Sequence, residues 1–407
     1  MSATPTPPPA HAPMGFAEFV AMTAALMALN ALAVDIMLPA LPEIGRVLGV
    51  AHDNDRQVVI GAYMWGFGLG QVFIGTISDR YGRKTVLVIG IAVYVLTALI
   101  AASAPTFSLL LLARFVQGLV SAVPRVITTS IVRDCYSGRR MASVVSLAMT
   151  IFMAVPILAP SIGQVIMLGA SWRAIFGFLA VYGVALALWV FLRLPETMKP
   201  EQRRALDPRS IAHSFAAVLR QRQTVGYATA GGLMFGATFS FLLSSQQILA
   251  ELFGLGTMFP LAFAALALAM SASSFVNSRL VGRLGMRRIV HSAVIAYVAL
   301  AVTLGILARL GVAQAAVALP VMACMVFVVG LVFGNVNALA MEPQGAQAGT
   351  ASSLIGSYTT LLASTLAYFV GQAFDGTIVP LTTGQALMGI ACLLVMALTD
   401  KGRLFRT

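Results

Sequence analysis

Charge is the scarcest commodity in this chain. Acidic and basic residues make up 10% of its 407 positions, where a soluble domain carries about a quarter. That shortage excludes an ordinary water-soluble domain. Cysteine is scarce too. Cys135, Cys324 and Cys392 are odd in number and far apart, which excludes a disulfide framework and a thiolate metal site. The four histidines show no ligand spacing, so no metal is expected. No nucleophile–base grouping is visible, so the chain does not read as an enzyme. What remains is apolar: 59% of residues are hydrophobic and the mean hydropathy is +0.90.

Apolar runs near the twenty residues needed to cross a bilayer recur along the whole chain, which implies helices rather than a barrel. The expected fold is an all-α membrane protein of twelve helices in two six-helix bundles. Hydropathy sets the first six at about 15–37, 55–77, 83–103, 107–133, 140–168 and 172–194. The second six lie at about 224–245, 256–278, 286–310, 315–338, 349–372 and 377–399. Pro39 and Pro42 are expected to end helix 1. Residues 1–13, rich in proline, read as a disordered cytoplasmic tail. They lack a basic leader region, so a cleaved signal peptide is not expected. Residues 14–194 form the first bundle, 195–223 a polar cytoplasmic linker, 224–399 the second bundle and 400–407 a cytoplasmic tail.

The net charge of +12 invites a nucleic-acid reading, but its distribution rejects one. The basic residues crowd alternate loops and the C-terminus. The opposite loops hold only Arg46, Arg56, Arg173 and Arg309. The positive-inside rule then places both termini in the cytoplasm. The chain also repeats itself across half its length. Asp79-Arg-Tyr-Gly82-Arg-Lys-Thr-Val86 aligns with Gly282-Arg-Leu-Gly285-Met-Arg-Arg-Ile289, a sign of parallel repeats around a central site. The second copy has Gly282 where the first has Asp79.

Ionisable residues inside apolar runs are functional candidates because they are costly there. They are Asp35 on helix 1, Arg114 and Arg125 on helix 4, and Glu18 at the basic end of helix 1. Asp35 and Arg114 lie at compatible depths. Eleven residues separate the arginines, which returns to within about 20° of the same face some 16 Å along the axis. Asp35 reads either as a solvated acid at the helix mouth or as a protonatable carboxylate in the cavity. Arg114 reads as a structural donor to backbone carbonyls, as a coupling residue, or as both. Arg125 either snorkels or lines the cavity. Glu18 reads as an interfacial charge. Asn30 bonds substrate or a neighbouring helix.

Gly75-Thr-Ile-Ser-Asp79-Arg80-Tyr-Gly82-Arg83-Lys84 resembles the loop between helices 2 and 3 of the major facilitator superfamily. Arg114-Phe-Val-Gln117-Gly118-Leu-Val-Ser-Ala122 resembles that superfamily's helix 4 motif, whose arginine is implicated in proton transfer. Val155-Pro156-Ile-Leu-Ala159-Pro160-Ser-Ile-Gly163 partly matches its helix 5 antiporter motif, and its prolines predict a kink or hinge at Pro156, Pro160 and Gly163. Asp35-Ile-Met-Leu-Pro39-Ala-Leu-Pro42, Arg133-Asp134, Ala154 to Pro160 and Ala340-Met-Glu342-Pro343 with Gly349-Thr-Ala-Ser-Ser353 resemble the bicyclomycin/chloramphenicol-resistance (Bcr/CflA-type) family of bacterial exporters.

This resemblance implies drug:proton antiport across the inner membrane, with Asp35 and Arg114 coupling protons and no cofactor beyond the proton gradient. Where related exporters carry a second acid on helix 1, this chain has Met27, so Asp35 acts largely alone. The implied partners are a small, partly hydrophobic substrate, protons and the bilayer. No nucleic acid is implied, and a monomer is expected. An importer of a specific metabolite on the same fold is the alternative, and a non-transporting sensor would need an output domain that is not visible. Substrate contacts are sought at Asn30, Gln117, Phe152, Phe235 and Phe239. A cytoplasmic latch is expected in which Asp79, flanked by Arg80 and Arg83, bridges Arg133 and the start of helix 11. Gly75 would admit the close approach, and Gly82 the turn.

Overall fold

The computed structural model describes residues 14–198, 215–402 and 405. The expected tail at 1–13, most of the expected linker and part of the C-terminal tail lie outside the described residues. Among the described residues, twelve helical spans are long and apolar enough to cross a membrane. They are α1 (Phe16–Val47), α2 (Asp53–Tyr81), α3 (Arg83–Ala102), α4 (Phe107–Cys135), α5 (Gly138–Gly169) and α6 (Arg173–Arg193), then α7 (Arg222–Leu252), α8 (Gly256–Leu284), α9 (Met286–Arg309), α10 (Ala315–Gly345), α11 (Ala348–Gln372) and α12 (Val379–Thr399).

The packing pattern repeats with an offset of six helices. In the first six, α1 packs on α4, α5 and α6, α2 on α4, and α3 on α4 and α6. In the last six, α7 packs on α10, α11 and α12, α8 on α10, and α9 on α10 and α12. The two sets meet mainly through α2 with α11 and α5 with α8, a pair of contacts that the same offset exchanges. The sequence repeat has the same backbone in both copies. Gly82 (φ +96°, ψ 154°) and Gly285 (φ +77°, ψ 154°) each end one helix and open the next. A side chain rarely adopts such angles, so glycine is what makes both turns this tight.

Two expectations about helix ends need correction. Pro39 and Pro42 do not end α1. The α-helix Phe16–Asp35 gives way to a 3-10 turn at Leu38–Ala40 and a further α-helix at Leu41–Val47. Each proline sits in the first turn of its segment, where its missing N–H has no acceptor to lose. Helix 8 runs past Ser278 to Leu284, because Arg279 and Arg283 favour helix and the first true breaker is Gly285. The kink expected in helix 5 falls at Ala154, which keeps helical angles (φ −73°, ψ −22°). Gly138–Met153 and Val155–Gly169 are separate helices meeting at Ala154, with Pro156 opening the second.

Candidate proton-coupling and gating sites

Arg114 is fully buried. Its guanidinium donates to the Ala33 carbonyl at 3.0 Å, the Val59 carbonyl at 3.3 Å and Gln117 Oε1 at 2.7 Å. It also lies 4.3 Å from the Tyr63 ring centre and 5.8 Å from that of Phe176. The helix Phe16–Asp35 ends within two residues of Ala33, so this carbonyl is among the last four, which lack a partner inside the helix. A cation there also meets the negative end of the helix dipole. Arg114 thus caps the first segment of α1 while tying it to α2 and α4. The structural role left open in the sequence is therefore present.

Asp35 is buried, and among the described residues it forms no ion pair and no side-chain hydrogen bond. Arg114 reaches the backbone two residues before it and not its carboxylate. The antiporter-like segment presses on the same place. A Cβ at Gly163 would overlap the Ile36 carbonyl oxygen, with the Pro39 ring 3.1 Å away. Glycine here is a matter of space, because α5 crosses α1 with backbone touching backbone one residue after Asp35.

Asn30 is engaged, since the Tyr63 hydroxyl donates to its Oδ1 at 2.9 Å. Gln117 spends its carbonyl on Arg114, while its Nε2 is buried without a partner. Arg125 is exposed, and Glu18 pairs with Arg193 at 2.8 Å. Phe152 is half-buried beside Ala24, Met27 and Ala148. Phe235 packs at a tilt on Phe239 and meets Phe333 edge-on, both at 5.9 Å between ring centres. Phe239 itself is buried.

At the basic end the turn is organised around Arg83 and not around Asp79. Arg83 is buried, pairs with Asp79 at 2.6 Å and Asp134 at 3.4 Å, and donates to Ser78 Oγ at 2.6 Å. The backbone N–H groups of Arg83 and Lys84 donate to the two oxygens of Glu196 at 2.8 and 3.2 Å. Arg80 and Arg133 are exposed. The expected Asp79–Arg133 bridge is absent because adjacent residues on a helix point about 100° apart. On α4 it is Asp134 that faces the turn. Gly75 does lie close to α11, with Ser353 Oγ 3.4 Å from where its Cβ would be.

In the second half, too, an acid just past the last helix of the bundle packs against the start of α9. Asp400, just past α12, accepts from the Tyr227 hydroxyl at 2.8 Å and lies 3.4 Å from His291 and 3.9 Å from Arg287. Sequence alignment of the turns missed it because the acid is supplied from about 115 residues further along the chain.

The structure also holds a polar closure at the opposite end that the sequence reading did not find. The Arg56 guanidinium meets both Glu251 oxygens, at 2.7 and 2.9 Å. Asn54 donates to the carbonyls of Gln372 (3.1 Å) and Phe374 (2.8 Å), and Gln372 donates back to the Asn54 carbonyl at 3.0 Å. Gln57 bonds Gln247. Nearer the middle, Trp65 reaches Thr365 and Gln71 reaches Thr360. Among the described residues every hydrogen bond between the two halves is one of this set or its immediate neighbours. None lies at the basic end. The available signal was Arg56, one of four basic residues on the side that otherwise lacks lysine and arginine.

A sequence profile of the Major Facilitator Superfamily matches residues 23–368. The chain belongs to the Major Facilitator Superfamily. It is a multi-pass membrane transporter acting on small molecules, and not an enzyme. It is 30% identical to a bicyclomycin resistance protein homolog of Haemophilus influenzae, over 94% of this chain and 96% of that protein. It is 28% identical to the multidrug resistance protein MdtL of Klebsiella pneumoniae, over 93% of this chain and 95% of that one. Its fold matches a D-xylose–proton symporter with a TM-score of 0.72 at 14% identity, covering 93% of this chain and 97% of the symporter.

Proposed function

We propose that this transporter exports small, partly hydrophobic compounds across the bacterial inner membrane in exchange for protons. Both termini face the cytoplasm, the unit is a monomer, and no cofactor is needed beyond the proton gradient. The observation that carries the reading is Asp35: a buried carboxyl without a counterion among the described residues, at a helix end held by Arg114 and crossed by Gly163. Nothing among the described residues satisfies its charge, so binding of a proton and binding of a polar or cationic substrate group compete for it. Protons and substrate then favour opposite conformations, as linkage requires. Arg114 positions the helix end, and the bend at Ala154 lets the two parts of α5, both of which pack on α1, tilt relative to each other. The polar closure around Arg56 and Glu251 belongs to the state open toward the cytoplasm. Asp79 reaches α11 only when the basic end shuts, with Arg83 and Asp134 setting its position. Resistance relatives support the direction of transport.

The alternative is proton-coupled import on the same fold, which the symporter likeness keeps in view as a fold only. Everted membrane vesicles with an acidified lumen and a pH-sensitive dye separate the two. A panel of amphipathic dyes and antibiotics is added outside. Export of this kind drains lumenal protons as substrate enters. Movement of protons and substrate in the same direction across the membrane would replace antiport with symport.

A further inference from the structure

Near the basic end of α8, a concave region of about 610 Å³ is lined by Phe275, Val276, Arg279, Leu280 and Arg283. Phe275, Arg279 and Arg283 follow at intervals of four, so they form one stripe that advances about 6 Å per step. Phe275 is 60% exposed, and the Arg279 guanidinium lies over its ring, 4.4 Å from the centre. Both arginines are exposed, and neither forms an ion pair among the described residues. Along the axis the groove is therefore greasy at its inner end and doubly cationic at its outer end, over about 12 Å.

That gradient has the polarity and scale of one lipid leaflet. A single arginine near a helix end needs no ligand, since it snorkels to water. Two on the same stripe, both without an ion-pair partner among the described residues and flanking a concave apolar wall, repel each other and select an anion with an apolar body attached. The final turns of α8 are where headgroups lie, because α9 begins immediately afterward at the basic turn. We propose that this groove binds an anionic phospholipid, its phosphate between Arg279 and Arg283 and an acyl chain along Phe275, Val276 and Leu280. The site is separate from Asp35 and Arg114 and does not depend on the direction of transport.

The test is native mass spectrometry of the full chain in neutral detergent, titrated with dioleoyl-phosphatidylglycerol or with dioleoyl-phosphatidylcholine. The first phosphatidylglycerol is expected to bind well ahead of phosphatidylcholine. Arg279→Gln should weaken that first step about fivefold, and Arg279→Gln with Arg283→Gln roughly thirtyfold, with phosphatidylcholine unaffected. Arg139→Gln with Arg140→Gln, at the start of α5, should leave it unchanged. Equal binding by wild type and the α8 double variant overturns the proposal, as does an equal loss in the α5 variant. Displacement of the lipid by millimolar inorganic phosphate would also overturn it, because the groove would then hold an anion and not a lipid. Both α8 substitutions are at exposed positions, and an unchanged gel-filtration profile checks that the variants fold.

Discussion

The guanidinium of Arg114 donates to the carbonyl oxygen of Ala33 at 3.0 Å, two residues before Asp35, and forms no ion pair with Asp35. The arginine holds the backbone and leaves the carboxyl free. The two residues should therefore fail differently when changed. Asp35→Asn keeps shape and polarity but cannot carry a proton. Ligand binding is expected to survive it, while uphill transport and its dependence on external pH are lost. Wild-type pH-dependent transport by Asp35→Asn in vesicles would remove Asp35 from the coupling step.

Arg114→Lys should cost stability as well as transport. A lysine cannot reach two carbonyls and Gln117 with one planar fork. Losing two hydrogen bonds to a buried charged group predicts a loss of about 2–4 kcal/mol. A thermal midpoint within a degree or two of wild type in detergent would show that the cap is dispensable.

Gly163→Ala and Gly177→Ala make a controlled pair. At Gly163 the new methyl would collide with the Ile36 backbone, which cannot swing aside, so about 1–3 kcal/mol of destabilisation is expected. At Gly177 nothing lies within 4 Å of the added Cβ, and the helix gains roughly 0.5–1 kcal/mol. Thermal unfolding of the two variants side by side decides this. Equal midpoints would mean that α5 does not pack on α1 as described.

Glu251→Gln should loosen the closure at the end opposite the basic turns. Arg56 is 5% exposed, and this acid is its principal partner across the halves. Removing one charge is expected to shift the balance between states several-fold, equivalent to about 1–2 kcal/mol. Electron–electron distance measurements between spin labels on α2 and α7 at that end should gain a longer population. An unchanged distribution would assign the closure to the Asn54, Gln57 and Gln372 contacts instead.

Arg83→Gln and Arg133→Gln separate the turn's hub from its bystander. Arg83 is buried among Ser78, Asp79 and Asp134, and its loss leaves two acids facing each other. Transport should fall by about tenfold or more, whereas the exposed Arg133 should tolerate Gln with little change. The reverse ranking in a transport assay would restore Arg133 as the residue that matters.

How much was legible follows from what each feature depends on. Twelve spans, the repeated turn with its glycines, and the placing of Asp35 and Arg114 inside membrane-spanning helices all follow from local composition. A long apolar run, a buried charge and a positive φ each carry their cost wherever the chain goes. The glycine spacing that lets α5 meet α1 was visible as a motif, though not the Ile36 carbonyl it meets. Partner choice was not legible. Asp134 and not Arg133 reaches the turn because of which face α4 presents, a matter of helix rotation. Asp400 meets Arg287 and His291 only because α12 ends beside α9. Arg56 finds Glu251, and Asn54 finds Gln372, across 195 and 318 residues. Local chemistry decides that a segment enters the membrane and that a charge there needs an answer. Only the packing of helices decides which distant residue supplies it, because that depends on rotations and crossings that no single segment encodes.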